Sequence, residues 1–384
     1  AGLFILPFLL LSAGAGEWAD SADKSHIARI TKWLEVIIAG LGAAGLLVGS
    51  LWLSLTALML LGAQSALFGP VKYGVLPQHL HADELLAGNA WIEAATFLAI
   101  LLGTLVAGWL VAGEDAVWRV SGLVLLVAVA GLAAVHGMPA APPVWSGAGS
   151  ESADEWSKAS VNGVAPQSRW RPLRATRRLL SEVRGERVWP VLLAISWFWA
   201  FGATVLTQLP VLVRDHLHGD ATVVSALLAV FSVGVGAGSA AAAAALRRAP
   251  DLPLVPAAAL DMGVFGVLLV WLLPGASSGE PLQDIVGWWS ASGSPGITLT
   301  LFALAAAGGA YCVPLYTALQ RLAAPERRGR AVAANNVVNS GAMVAAAGVG
   351  AGLSGVGVDG LLAVFAVGNL PVAWWLWRHQ VAQV

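Results

Sequence analysis

The chain has 384 residues, of which 58% are hydrophobic and 11% charged, with a mean hydropathy of +0.75. Soluble domains carry about 25% charged residues, so a soluble enzyme, a nucleic-acid binder and a disordered chain are all excluded. The net charge of −1 selects no bulk partner, and the single cysteine, Cys312, rules out an intrachain disulfide.

A helix needs about 20 apolar residues to cross the hydrocarbon core. Runs of that kind are predicted at 1–15, 33–50, 51–69, 88–112, 117–136, 188–212, 221–245, 253–273, 297–320, 331–354 and 358–377. The chain opens on Ala1-Gly2-Leu3-Phe4-Ile5 with neither Met nor a charged flank, which reads as the middle of a helix and leads us to expect a missing first helix. Many of the 18 tryptophans, such as Trp33, Trp118, Trp189 and Trp374, sit near the ends of runs, as in interfacial aromatic belts. Between the fifth and sixth runs lies a stretch rich in Pro, Ser, Gly and Arg, read as a linker. The expected organisation is a half-bundle over 1–137 lacking its first helix, a basic cytoplasmic linker over 138–187, and a six-helix half-bundle over 188–384.

Loop by loop, 19 of the 21 Lys and Arg residues fall on one side, and only Arg119 and Arg214 on the other. Positive charge stays in the cytoplasm, so the linker and C-terminus are expected there. Six spans, a basic linker and six spans is the layout of the major facilitator superfamily, and the expected fold class is an all-α membrane protein of two six-helix bundles. The segment Gly16-Glu17-Trp18-Ala19-Asp20-Ser21-Ala22-Asp23-Lys24, with Arg29 beyond it, resembles that superfamily's loop signature between its second and third helices. Trp18 replaces the usual Leu, and Asp23 the usual Gly. Gly16 would permit close helix approach, and Asp20 could meet a helix N-terminus or a basic partner.

No Walker loop is present, and no cofactor or catalytic constellation is legible. The Gly-rich runs at 234–238 and 348–352 lie inside spans and read as helix packing. His79, His81, Asp83 and Glu84, and separately His216, His218 and Asp220, read as polar loop rather than metal ligands. Ionisable groups inside spans are the better lead, because each costs about 2.5–3.5 kcal/mol at a helix centre. Asp261 lies near the middle of its span and must face the bundle interior or water. Asn89, Glu93 and Thr96 share a helix face. Asn335, Asn336, Asn339 and Ser340 form a second polar patch, and Thr204, Thr207, Gln208 and Arg214 a third. These stripes are candidates for a polar track between the halves; the plainer alternative is hydrogen bonding between helices.

The most distinctive segment is Phe68-Gly69-Pro70-Val71-Lys72-Tyr73-Gly74-Val75-Leu76-Pro77-Gln78, whose prolines and glycines are expected to stop the third helix at the membrane face. Lys72 then comes within topological reach of Glu93. With the Asn89-x-x-x-Glu93-Ala94 helix and the Ala19-Asp20-x-x-Asp23-Lys24 loop, it resembles the bacterial lysophospholipid transporter family, most densely over 1–112. That resemblance implies a monomeric flippase of the bacterial inner membrane that moves lysophospholipids, notably lysophosphatidylethanolamine, inward. A partner acyltransferase/acyl-ACP synthetase, separate or fused, would then reacylate them. Lys72, Tyr73 and Arg214 with Glu93 and Asp261 would meet the headgroup, while Gly- and Ala-rich walls or the surrounding lipid would take the chain. A small-molecule or drug exporter would share the topology and the loop signature but should not need the Pro-Val-Lys-Tyr-Gly segment.

Overall fold

The computed structural model describes residues 2–110, 115–144, 172–275, 281–290 and 293–381. Fourteen α-helices are described: α1 (Gly2–Ser21), α2 (Lys24–Val48), α3 (Leu51–Gly74), α4 (Leu76–His79), α5 (Leu85–Leu110), α6 (Ala116–His136), α7 (Pro172–Val183), α8 (Trp189–Asp215), α9 (Ala221–Arg248), α10 (Leu254–Leu272), α11 (Ile285–Trp289), α12 (Ser294–Leu322), α13 (Arg328–Gly352) and α14 (Gly357–His379). Among the described residues, 11 helices are long and apolar enough to cross a membrane, and they coincide with the 11 predicted runs. A lone bridge, Gly219 to Gln283, is the extended pairing seen in the same residues. Of the linker, 145–171 lies outside the described residues, and α7 is a helix the sequence reading did not foresee.

Three boundaries differ from expectation, each for a local reason. α1 continues through Gly16 and Asp20 to Ser21, so most of the loop signature is helical and only Ala22 and Asp23 remain between spans. α2 begins at Lys24 because Asp23 caps it, its carboxylate accepting from Ser25 N at 2.8 Å. The charges Lys24, Arg29, Lys32 and Glu35 therefore sit on a helix whose apolar run begins only at 33. α3 does not stop at Gly69-Pro70 but runs through Pro70 to Gly74. Proline is tolerated within a membrane helix where neighbouring groups satisfy the freed carbonyl.

Contacts divide the chain into two compact units. The first holds Ala1–His79, Val124–Glu186 and Ala323–Val337. Its α1 packs on α3, and α2 pairs with α3 through the Gly49–Ser50 turn. Gly49 takes φ +70° there, a value that suits glycine. Ala19, Ile27, Ala28, Val71, Leu132 and Val135 form an apolar core at the end where α1, α3 and α6 terminate and α2 begins. Near mid-hairpin, Glu35 accepts from Lys32 Nζ at 2.8 Å and from Gln64 Nε2 at 2.9 Å. The Lys32 ammonium also lies 5.1 Å from the Phe68 ring centre.

The second unit holds Leu80–Leu123, Arg187–Leu322 and Val338–Val384. Here α9 packs on α12 and on α5, and α10 on α12 and α14. Small residues allow the closest approach: a Cβ on Gly234 would stand 2.7 Å from Phe302 O, and one on Gly238 would strike the Ala306 carbonyl. Tyr311, fully buried on α12, donates to Ala194 O on α8 at 3.0 Å.

Candidate functional site

In the first unit the signature residues converge on the N-terminus of α13. The first N–H groups of a helix lack intrahelical partners and carry its positive dipole end. The Asp20 carboxylate, delivered from the last turn of α1, accepts from Gly329 N at 2.6 Å, Arg330 N at 3.1 Å and Arg330 Nε at 3.3 Å. It thus finds both expected partners at once, a helix N-terminus and a basic side chain. Gly16 allows the approach, since a Cβ there would lie 2.7 Å from Ala333 Cβ and 2.9 Å from Gly329 O.

Asp23 fastens the segment after α6 to the same end, accepting from Ala141 N at 3.1 Å, while Lys24 N donates to Ala141 O at 2.9 Å. Arg29 Nη2 reaches Met138 O at 3.4 Å. Burial would raise the Asp23 carboxyl, but hydrogen bonds from Ser25, Ala141 and His26 outweigh it and hold the group below the usual carboxylate range. Lys24 is itself buried, its stem 3.2 Å from where a Cβ on Gly74 would stand. Beside it, half-buried Lys72 places its ammonium 5.0 Å from the ring of buried Tyr73. Asn335, also in this unit, is 1% exposed, and its amide has no hydrogen-bond partner among the described residues. Its neighbour Asn336 approaches Gly69, where an added Cβ would meet the amide nitrogen at 2.6 Å. That contact explains the glycine before Pro70.

In the second unit, Asn89 on α5 and Gln320 on α12 form a reciprocal amide pair. Asn89 Nδ2 donates to Gln320 Oε1 at 2.7 Å, Gln320 Nε2 donates to Asn89 Oδ1 at 3.1 Å, and Asn89 also donates to Thr317 Oγ1 at 3.1 Å. Asn89 is fully buried, and so at 1% exposure is Glu93 one turn further along α5. Thr96, the third member of that stripe, turns its hydroxyl back onto Ile92 O at 2.7 Å. Replacing either amide of the pair by Leu strands its partner, which costs about 1–3 kcal/mol. Asn89→Leu and Gln320→Leu should each lower the thermal unfolding temperature in detergent, and the double variant should lose less than the sum. A strictly additive cycle would show that the pair carries no coupling.

Asn339, one turn beyond Asn335 on α13, accepts from Ser196 Oγ at 2.7 Å. Thr204 and Thr207 donate to Ala200 O and Ala203 O of their own helix. Thr207 also donates to Thr204 O at 3.1 Å, while Gln208 is half-buried and Arg214 exposed. Asp261 is exposed on α10. Lys72 and Glu93 belong to different units. Among the described residues no three His, Cys, Asp or Glu side chains gather as a metal would require. Sequence reasoning missed Gln320 and Thr317, which lie towards the end of their run, and Glu35 and Gln64, which lie inside the runs 33–50 and 51–69 but were not singled out.

Eleven apolar spans with polar groups held inside them define a polytopic helical membrane protein. The description of the Major Facilitator Superfamily matches residues 1–282, and the chain belongs to that superfamily. Among curated relatives it is similar to "Lysophospholipid transporter LplT" of Pectobacterium carotovorum subsp. carotovorum (strain PC1), 27% identical over 89% of this chain and 74% of the relative. It is likewise similar to the proteins of that name from Cronobacter sakazakii (25%) and Klebsiella pneumoniae strain 342 (27%), each over 98% of this chain and 86% of the relative. Solved structures sharing the fold include a proton:xylose symporter, XylE, at TM-score 0.68 and 13% identity over 98% of this chain and 84% of that one. A bacterial homologue of the iron transporter ferroportin in an outward-facing state shares it at TM-score 0.67 and 14% identity, over 98% and 88%.

Proposed function

We propose that this protein is a lysophospholipid transporter that moves single-chain phospholipids, notably lysophosphatidylethanolamine, from the outer to the inner leaflet of the bacterial inner membrane. The observation that carries the reading is its similarity to lysophospholipid transporters over 89–98% of its length. A lysophospholipid joins a zwitterionic or anionic head to one acyl chain. The head needs a few polar contacts during passage, for which Lys72, Tyr73, Glu93, Gln208, Arg214, Asp261, Asn335 and Asn339 are the candidates. The tail needs only an apolar wall or the lipid itself. Alternating access of the halves 1–137 and 188–384 about the linker 138–187 would move the opening across the membrane. The basic linker and the C-terminus stand in the cytoplasm, where an acyltransferase/acyl-ACP synthetase would consume the product, and one monomer suffices.

The test is translocation of labelled lysophosphatidylethanolamine, diacyl phosphatidylethanolamine and a cationic drug by the full chain in proteoliposomes. Selective movement of the lysolipid is expected, and Glu93→Gln or Lys72→Ala at equal expression should slow it at least tenfold. Movement of the drug alone would establish an exporter instead. Full activity of both variants would remove these two residues from the path.

A further inference from the structure

Two cavities meet at one arginine in the second unit. The first, of about 320 Å³, lies where α5 begins and α9 ends, and its lining includes Asp83, Arg247, Thr317 and Arg321 over an apolar floor that includes Leu86 and Leu246. The second, of about 360 Å³, follows the seam of α5 and α9 and is walled by Ala90, Ala94, Gly236 and Ala240, with Trp91 on its flank and Arg247 again at its end. The first is charged and lies at a helix boundary. The second is almost wholly apolar and runs into the length of two membrane spans.

A charged chamber that shares Arg247 with a neighbouring apolar groove matches an amphiphile and not a soluble anion. An inorganic phosphate would use the chamber and leave the groove to lipid. Arg321 is held in place by donating to Ala82 O at 2.5 Å, and Arg247 stands in the last turn of α9, where cations complement the helix dipole. Two arginines lining one chamber suit a phosphodiester. Asp83, on the wall of the same chamber, supplies the opposite charge that a primary ammonium needs. Trp91 is 77% exposed, and its amphipathic ring suits the headgroup level of a membrane.

Small residues leave the groove open: even a Cβ on Gly236 would only touch Ala94 Cβ, at 3.8 Å. From Gly236 to Arg247 it extends about 16 Å at about 1.5 Å per residue.

We infer that this groove binds one lysophospholipid, resting on the function proposed above: the phosphate sits between Arg247 and Arg321, the ethanolamine ammonium at Asp83, and the acyl chain along the α5–α9 seam. On the orientation read from the basic residues, the chamber opens to the cytoplasm. It is then the station from which the product is handed to the reacylating enzyme. Asp83 makes the site prefer an ethanolamine head to a glycerol head.

The test uses the full chain in proteoliposomes with lysophosphatidylethanolamine carrying a photoactivatable acyl chain, with labelled peptides mapped by mass spectrometry. Labelling is expected in 87–94 and 236–247. Arg247→Gln should lower labelling roughly tenfold, the scale of a lost charge-assisted contact, and Arg247→Lys should recover part of it. Asp83→Asn should reduce labelling by the ethanolamine lipid several-fold while sparing lysophosphatidylglycerol. Ala240→Phe should displace the acyl label, and Arg248→Gln should change nothing. If the unaltered protein transports lysolipid but the label maps elsewhere, or Arg247→Gln labels normally, the inference falls and the transport reading stands. Equal labelling by a diacyl lipid also overturns it. Failure of the unaltered protein to move any lysolipid overturns both.

Discussion

Gly238→Leu will abolish recovery of folded protein, while Gly103→Leu will leave it nearly unchanged. The contrast follows from what each side chain would meet. A Cβ on Gly238 would run into the Ala306 carbonyl of α12, whereas nothing lies within 4 Å of one on Gly103. Gly309 locks the same seam from the other side, where an added Cβ would stand 2.8 Å from Ser239 N. In a membrane, helices associate through close packing rather than the hydrophobic effect, so this seam has no substitute source of attraction. Even Gly238→Ala should lower stability by roughly 1–3 kcal/mol, the usual cost of overpacking. Size-exclusion chromatography of detergent extracts reads both variants. A monodisperse Gly238→Leu peak at normal yield would mean that α9 and α12 are not packed as described.

Asp20→Asn is expected to slow lysolipid translocation at least tenfold at equal expression and to lower thermal stability. Its carboxylate holds two backbone N–H groups of α13 and the Arg330 guanidinium. Hydrogen bonds to a charged group contribute about 1.5–3 kcal/mol each, and about 1.4 kcal/mol is a factor of ten in rate. Arg330→Gln should be milder, by two- to threefold, because the backbone donors remain. Gly329→Ala should resemble Asp20→Asn, since its Cβ would stand 2.6 Å from the Asp20 carboxylate and push it off the helix end. Full transport by Asp20→Asn would show that the contact is dispensable. Arg330→Gln proving worse than Asp20→Asn would place the weight on the ion pair and not on the helix terminus.

Hydropathy made the spans legible because an apolar run of that length has no other home. It failed where charge and helix coincide. Lys24 to Lys32 reads as loop, yet Asp23 starts a helix there, since capping depends on one side chain and not on average polarity. Pro70 misled for a related reason: its breaking power is real in water, but the Val71, Tyr73 and Gly74 that follow it are buried, and the helix continues. Asp20 announced the kind of partner it needed, though not that Gly329 and Arg330 would supply it from 309 and 310 residues away. Asn89 was visible as part of a polar stripe inside a span, but Gln320 looked like the polar end of one. The pairing joins positions 231 apart, and no local pattern encodes that. Arg247 was visible only as a basic residue at a helix end, because two cavities meeting there is a property of packing.

The Lys32–Glu35–Gln64 cluster bears on how the chain enters the bilayer during synthesis. A lone ion at that depth would cost the emerging segment about 2.5–3.5 kcal/mol on insertion scales. Lys32 and Glu35 lie on one helix, one turn apart and 2.8 Å from each other, so α2 brings its own counter-ion. Gln64 arrives on the next helix to bind the same carboxylate. The translocation machinery is therefore handed an α2–α3 hairpin in which the charges furthest into α2 are already paired with each other and with Gln64.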